Sequence, residues 1–185
     1  DPPQEITWDG RARDGELVQS AVDYQAEFTV VDSEGNEATV ERVVPTDILV
    51  TQENGRLVIR LPGIHFAAFS ADLFEIEVEE QEENFSTLRR LATVLDRYPE
   101  YDILVEGHAN HIIYWDEQAM EEEQNETLIP LSRNRAQEVK ESLIILGIDR
   151  DRMEIKGVGG ARPVVPFEDK DHVWKNRRVQ FLLEK

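Results

Sequence analysis

Residues 101–110, Tyr-Asp-Ile-Leu-Val-Glu-Gly-His-Ala-Asn, and residues 131–136, Leu-Ser-Arg-Asn-Arg-Ala, decide how this chain is read. Ile103, Leu104 and Val105 form a continuous apolar run, which is the composition of a strand covered on both faces. The run ends in a polar turn at His108–Asn110. Beyond an acidic detour, Ser132 reads as a helix N-cap, and Ala136, Val139, Leu143 and Leu146 recur on one stripe before Gly147, which is placed as the C′ residue. A strand that ends in a polar turn, beside a helix whose first turn carries serine and arginine, is the candidate small-ligand site.

Outward from that stretch the periodicities alternate. Phe85, Leu88, Ala92 and Leu95 share one face of a helix over about residues 80–97, and Pro99 ends it. Strands are expected at 48–50 and 57–61 around Glu53-Asn54-Gly55, at 101–106, at 153–156 and at 178–183. In the last, Val179, Phe181 and Leu183 alternate with Arg178, Gln180 and Leu182. The order from residue 55 predicts an α+β fold: an α/β sandwich with helices on one side of a mixed sheet. Phe66, Phe69 and Leu73 are read as core, since large apolar side chains at such spacings usually pack. The run from Asp72 to Glu83, with seven acids and no bases, is read as a solvated face or loop.

The first 47 residues have a different grammar. Val22, Tyr24, Ala26, Phe28 and Val30 alternate with polar residues, Asp32–Asn36 form a turn cluster, and Ala38–Val44 give a second strand. The result is a hairpin that needs something to pack on. Trp8-Asp9-Gly10-Arg11, then Asp14, Gly15, Val18 and Tyr24, then Val31, Asp32, Gly35 and Asn36 resemble the end of the immunoglobulin-like domain of flagellar hook-capping and other bacterial envelope proteins. Pro45–Asp47 mark the boundary, giving an all-β Ig-like segment over 1–47 and a second domain over 48–185.

Composition narrows the function. The chain has 185 residues, 40% hydrophobic and 32% charged, with 20 basic and 39 acidic side chains and a net charge of −19. Such a surplus of acids argues against nucleic acid and against an anionic membrane surface, because both need clustered Lys and Arg. The absence of cysteine removes disulfides, thiol catalysis and thiolate metal sites. No run approaches the ~18 apolar residues of a membrane-spanning helix. The start, Asp-Pro-Pro-Gln-Glu, is read as a cut through a longer protein, with any export signal or lipid anchor upstream.

No motif requires a cofactor. Gly157-Val158-Gly159-Gly160 leads to proline and not to a helix, as a dinucleotide loop would, and neither a GxSxG elbow nor a P-loop occurs. His108 and His111, with Glu106 nearby, lack HExxH spacing, and residues 106 and 108 share a strand face while 111 lies past the turn. A histidine there is read as ordering the turn, with no metal and no catalysis.

Five motifs in order resemble the OmpA carboxy-terminal family, which includes the peptidoglycan-associated lipoprotein and flagellar motor stators. They are Val105-Glu106-Gly107-His108; Leu131-Ser132 with Arg135-Ala136; Gly147-Ile148; Gly157 with Gly159 and Pro163; and Asn176-Arg177-Arg178-Val179. The resemblance implies a non-catalytic periplasmic envelope protein, outer-membrane associated through a region upstream, that grips the diamino acid of a peptidoglycan stem peptide and links envelope layers. It implies His108, Asn110, Ser132, Arg135 and Arg178 as the binding residues. On physical grounds Arg135 and the free N–H groups of a helix start near Ser132 would form a carboxylate receptor. Arg177 or Arg178 would either assist it or pair with acids such as Glu106.

The sequence departs from the family where an ammonium would be held. Asn110 stands in place of aspartate, the glycine expected soon afterwards is absent from His-Ile-Ile-Tyr-Trp-Asp, and Leu128 replaces asparagine. Losing a charge-assisted hydrogen bond costs about 1.5–3 kcal/mol, or roughly one to two decades of affinity. Either the acidic insertion, with Asp116, Glu117, Glu121, Glu122, Glu123 and Glu126, returns a carboxylate to the pocket or reads a different diamino acid, or the domain persists as a scaffold for envelope protein partners without binding the wall.

Overall fold

The computed structural model describes residues 7–13, 15, 18–61 and 63–185; Asp14 of the Ig-like resemblance lies outside them. Strands β1 (Asp23–Val31) and β2 (Glu37–Pro45) pair antiparallel as a sheet of their own. A five-stranded mixed sheet follows in the order β3-β4-β7-β5-β6, with β3 at Val50–Glu53, β4 at Arg56–Leu61, β5 at Asp102–His108, β6 at Met153–Gly159 and β7 at Val179–Glu184. Only β5 and β6 run parallel. Such a connection needs a crossover, and α3 (Ile129–Ile145) supplies it.

The predicted alternation in β7 decides which face is covered. Val179, Phe181 and Leu183 are buried and join Ile59 and Leu61 of β4 and Ile103 and Val105 of β5 in one core. Leu88, Leu91 and Leu95 of α1 (Val78–Leu95) and Ala136, Val139 and Leu143 of α3 close it from above. Leu104, on the opposite face, is only half-buried, so the apolar run of β5 is covered by helices on one side and not on two. Asn54 and Gly55 both have positive φ (50° and 83°), the geometry of a two-residue hairpin turn that keeps the twist of its strands. The acids of Asp72–Glu83 are solvated as expected, and Leu73 is core. Phe69 is not: its ring is 68% exposed and its φ is +59°, a conformation that costs a bulky residue of order 1–2 kcal/mol.

The hairpin departs from expectation in burial. Phe28, Val30, Val40 and Val43 are exposed, and β1–β2 is tied to the rest through its base. There the Val22 N–H donates to Thr46 Oγ1 (3.1 Å), the Leu49 N–H to Ser20 Oγ (3.0 Å), and Arg90 of α1 to the Thr46 carbonyl.

The largest correction concerns the acidic detour. It is helical: α2 (Glu117–Glu123) passes through a π-turn (Gln124–Leu128) directly into α3. Asp116 caps the start by accepting the Ala119 N–H at 2.9 Å. Pro130 follows the π-turn; it has no N–H to donate and its ring crowds the preceding turn, and a widened turn is how a helix passes such a residue. Ser132 is therefore inside a helix and caps nothing.

Candidate functional site

Glycine sets the distance between α3 and the sheet. A Cβ at Gly107 would lie 1.9 Å from the carbonyl oxygen of Ser132, and one at Gly157 would lie 2.3 Å from that of Ile129. The helix backbone thus rests directly on β5 and β6, and the Ser132 hydroxyl is close enough to accept the Gly159 N–H (2.9 Å) while donating to the Ile129 carbonyl (3.1 Å). Ser132 is a buried fastener between helix and sheet. With no helix terminus beside it, the expected receptor of free N–H groups does not form.

One turn further, α3 delivers Arg135 to a cleft of about 910 Å³, which Asn110, His108, Arg177 and Arg178 also line. Of the binding residues expected from sequence, four share this cleft and Ser132 does not. Arg135 is 8% exposed; its Nε–H donates to the Ser70 carbonyl (2.9 Å), Nη2 to that of Ala67 (3.1 Å), and its guanidinium lies over the Phe66 ring at 4.8 Å. Burial, with the Arg177 charge adding to it, pushes its pKa down to about 10, which leaves it cationic at neutral pH. Both oxygen partners are neutral carbonyls from the loop that carries Phe69.

Asn110 is held from two sides. Its Nδ2 donates to the His111 carbonyl (2.7 Å) and its Oδ1 accepts from Nδ2 of Asn176 (2.9 Å). Asn176 is completely buried; its own Oδ1 accepts the N–H groups of Val164 (2.8 Å) and Val165 (3.1 Å), and its Nδ2 also reaches the Val165 carbonyl (3.0 Å). Sequence reasoning noted Asn176 as part of a motif without assigning it this role. The signal was there: an amide supplies the mixed donors and acceptors that a buried junction of loops needs.

The acidic insertion sends one carboxylate back toward the turn after β5, though not to Arg135. Glu123 accepts from the Ile112 N–H (3.1 and 3.2 Å) and the Ile113 N–H (3.2 Å), and lies 3.0 Å from His111 Nδ1. Gln124 secures the neighbouring β6 end, donating to the Val158 carbonyl (2.9 Å) and accepting the Gly160 N–H (2.8 Å).

On the sheet face without helices, Glu106 and His108 lie 3.7 Å apart and both are 2% exposed. The His108 ring, followed by Arg162 and Lys156, holds the Glu106 carboxylate below the usual range. Burial pushes His108 down, and Arg178 and Arg162 act in the same direction. His108 Nε2 faces the Glu106 carboxylate at 3.7 Å, beyond hydrogen-bond distance. Arg162 Nη1 contacts Glu106 at 3.1 Å, while Arg178 donates to the Arg162 carbonyl (3.3 Å) and burial lowers its pKa to about 10. The pairing with Glu106 foreseen for Arg177 or Arg178 is made by Arg162.

A profile of the OmpA family matches residues 69–177, which is more than half of the chain and contains every cleft residue from Phe69 to Arg177. The chain belongs to the OmpA family. Among curated relatives of this OmpA-family chain, the peptidoglycan-associated lipoprotein of Brucella melitensis is 34% identical over 98 residues, 52% of each protein. The chain spans about half the length of the curated relatives it matches. Among solved structures, the periplasmic domain of Helicobacter pylori MotB aligns with a TM-score of 0.58 at 18% identity, covering 90% of this chain and 88% of that one. The cell wall anchor of the type VI secretion system from Pseudomonas aeruginosa aligns with a TM-score of 0.55 at 26% identity, covering 74% and 87%. The likeness to MotB shows the shared fold. Among the described residues no helix is long and apolar enough to cross a membrane.

Proposed function

We propose that this OmpA-family domain is a non-catalytic periplasmic anchor that binds a peptidoglycan stem peptide in the Arg135 cleft and so links the cell wall to another envelope layer. The observation that carries this reading is a buried guanidinium, cationic at neutral pH, lining an open cleft with its Nη1 group left for a ligand. A carboxylate can compete with the loop carbonyls for it, because it adds a full negative charge opposite the guanidinium and can accept two parallel N–H bonds from it. Kinship with proteins named peptidoglycan-associated lipoprotein and cell wall anchor supports the same role. A division near residue 47, an Ig-like spacer ahead of it and association with the outer membrane through an upstream region complete the proposal.

A second reading, a protein-binding scaffold that has lost the wall, is favoured by Asn110 and by Glu123 being engaged elsewhere. Sedimentation with purified peptidoglycan separates the two. Retention at low salt that is abolished in Arg135→Gln and weakened in Arg177→Gln, with both variants folded by circular dichroism, is the expected result. No retention of the parent chain at low salt removes wall binding and leaves the scaffold.

A further inference from the structure

The charge around the cleft is inconsistent with a zwitterionic ligand end. Of the four arginines that line it, Arg135 and Arg178 are buried, Arg90 is half-buried and Arg177 is exposed, against two acids, Asp23 and Glu83, both exposed at its edge. Glu83 is already 3.4 Å from His65. Arg177 is close enough to Arg135 to depress its protonation. Glu123, one of the carboxylates that sequence offered as a replacement, is fixed on the N–H groups of Ile112 and Ile113. What remains at the end of β5 is a neutral carboxamide, locked in orientation by Asn176 and by the His111 carbonyl.

A locked carboxamide has a definite chemistry. Asn110 Oδ1 accepts one N–H from Asn176, and an amide oxygen has a second lone pair. That lone pair can take an N–H from a ligand. It cannot offset an ammonium charge beside the guanidinium of Arg135. The complementary group is a carboxylate whose neighbouring nitrogen is acylated: it brings the anion that Arg135 needs and a neutral N–H for Asn110.

Resting on the peptidoglycan-binding reading above, we infer that this cleft selects an N-acylated α-amino carboxylate over a free α-amino acid end. Two ends of a stem peptide carry that chemistry. One is the distal centre of the diamino acid after its amine has been acylated in a cross-link. The other is the carboxylate of a C-terminal alanine, whose nitrogen is a peptide amide.

Calorimetric titration of the intact chain with three synthetic stem peptides tests the inference. In all three, every carboxylate not named is amidated: the first ends in the diamino acid with its distal amine and distal carboxylate free; the second is identical with the distal amine acetylated; the third has lysine in place of the diamino acid and ends in a free D-alanine carboxylate. The second or the third binds roughly ten- to a hundredfold more tightly than the first, the range that one charge-assisted contact spans, and whichever leads identifies the source. Asn110→Asp, confirmed folded by circular dichroism, reverses the order in favour of the free amine. Tightest binding of the first peptide overturns the inference while leaving wall binding intact, and loss of that binding in Glu83→Gln would show that the rim acid reads the ammonium instead. Equal binding of all three also overturns it. No binding of any peptide removes the proposed function together with the inference.

Discussion

Asn176→Ala probes how the site is held. The substitution deletes four hydrogen bonds: two from the Val164 and Val165 N–H groups, one to the Val165 carbonyl and one to Asn110 Oδ1. A net value near 1 kcal/mol per bond, with some residual hydration of the groups left behind, gives a loss of about 3–4 kcal/mol. In a chain of this size that lowers the melting temperature by roughly 6–16 °C. Asn176→Asp is the sharper control. It keeps both acceptor bonds but sets an oxygen against the Asn110 and Val165 oxygens, so it does not restore stability at neutral pH. The assay is thermal unfolding followed by circular dichroism at fixed pH. An alanine variant that melts within ~2 °C of the parent, or an aspartate variant as stable as the parent, would falsify the account of Asn176 as the junction that fixes Asn110.

Gly107→Ala places a methyl group 1.9 Å from the Ser132 carbonyl oxygen and 2.8 Å from its carbon, both helix backbone atoms, so α3 must lift from β5. The cost exceeds the ~1–3 kcal/mol of ordinary overpacking, and loss of the near-ultraviolet circular dichroism signal is the expected readout. Acidification destabilises the fold in two stages. His108, lowered by burial from its ordinary 6.5, stays neutral in the fold while the unfolded chain takes up a proton, so stability falls as pH drops below about 6.5. Glu106, lowered from its ordinary 4.5, contributes stability above about 4.5 that is lost as pH falls through the depressed native value. Denaturant unfolding between pH 7.5 and 5.5 should show a smaller decline in His108→Gln than in the parent; an identical slope would contradict the burial argument.

What was legible in the sequence was whatever repeated with a period. Leu88, Ala92 and Leu95 gave α1, and the alternation of Val179, Phe181 and Leu183 gave both β7 and its buried face. The helix through the insertion had no such signal, because none of α2 is buried and its glutamates form no apolar stripe. Ser132 was misread for a physical reason. Serine after a proline and before a periodic run is a good cap in isolation, but here tertiary contact places its hydroxyl on the Gly159 N–H. Phe69 was misread because size suggests burial, whereas the loop around it is shaped by the Ala67 and Ser70 carbonyls that Arg135 holds. Asn176 and Glu123 act over separations of 66 and 11 residues, which no local pattern reports.

Glu123 and Asn110 both serve the turn after β5. In this chain the carboxylate at that turn is Glu123, which approaches from the inserted helix and meets the peptide N–H groups of Ile112 and Ile113 together with His111. The turn thus has an anion to satisfy its backbone donors, while residue 110 is a neutral amide. With the turn held by the Glu123 carboxylate, Asn176 fixes how the Asn110 amide is presented. The negative charge beside the end of β5 therefore sits on the turn, at Glu123, and the group of that strand end that lines the cleft is the Asn110 carboxamide.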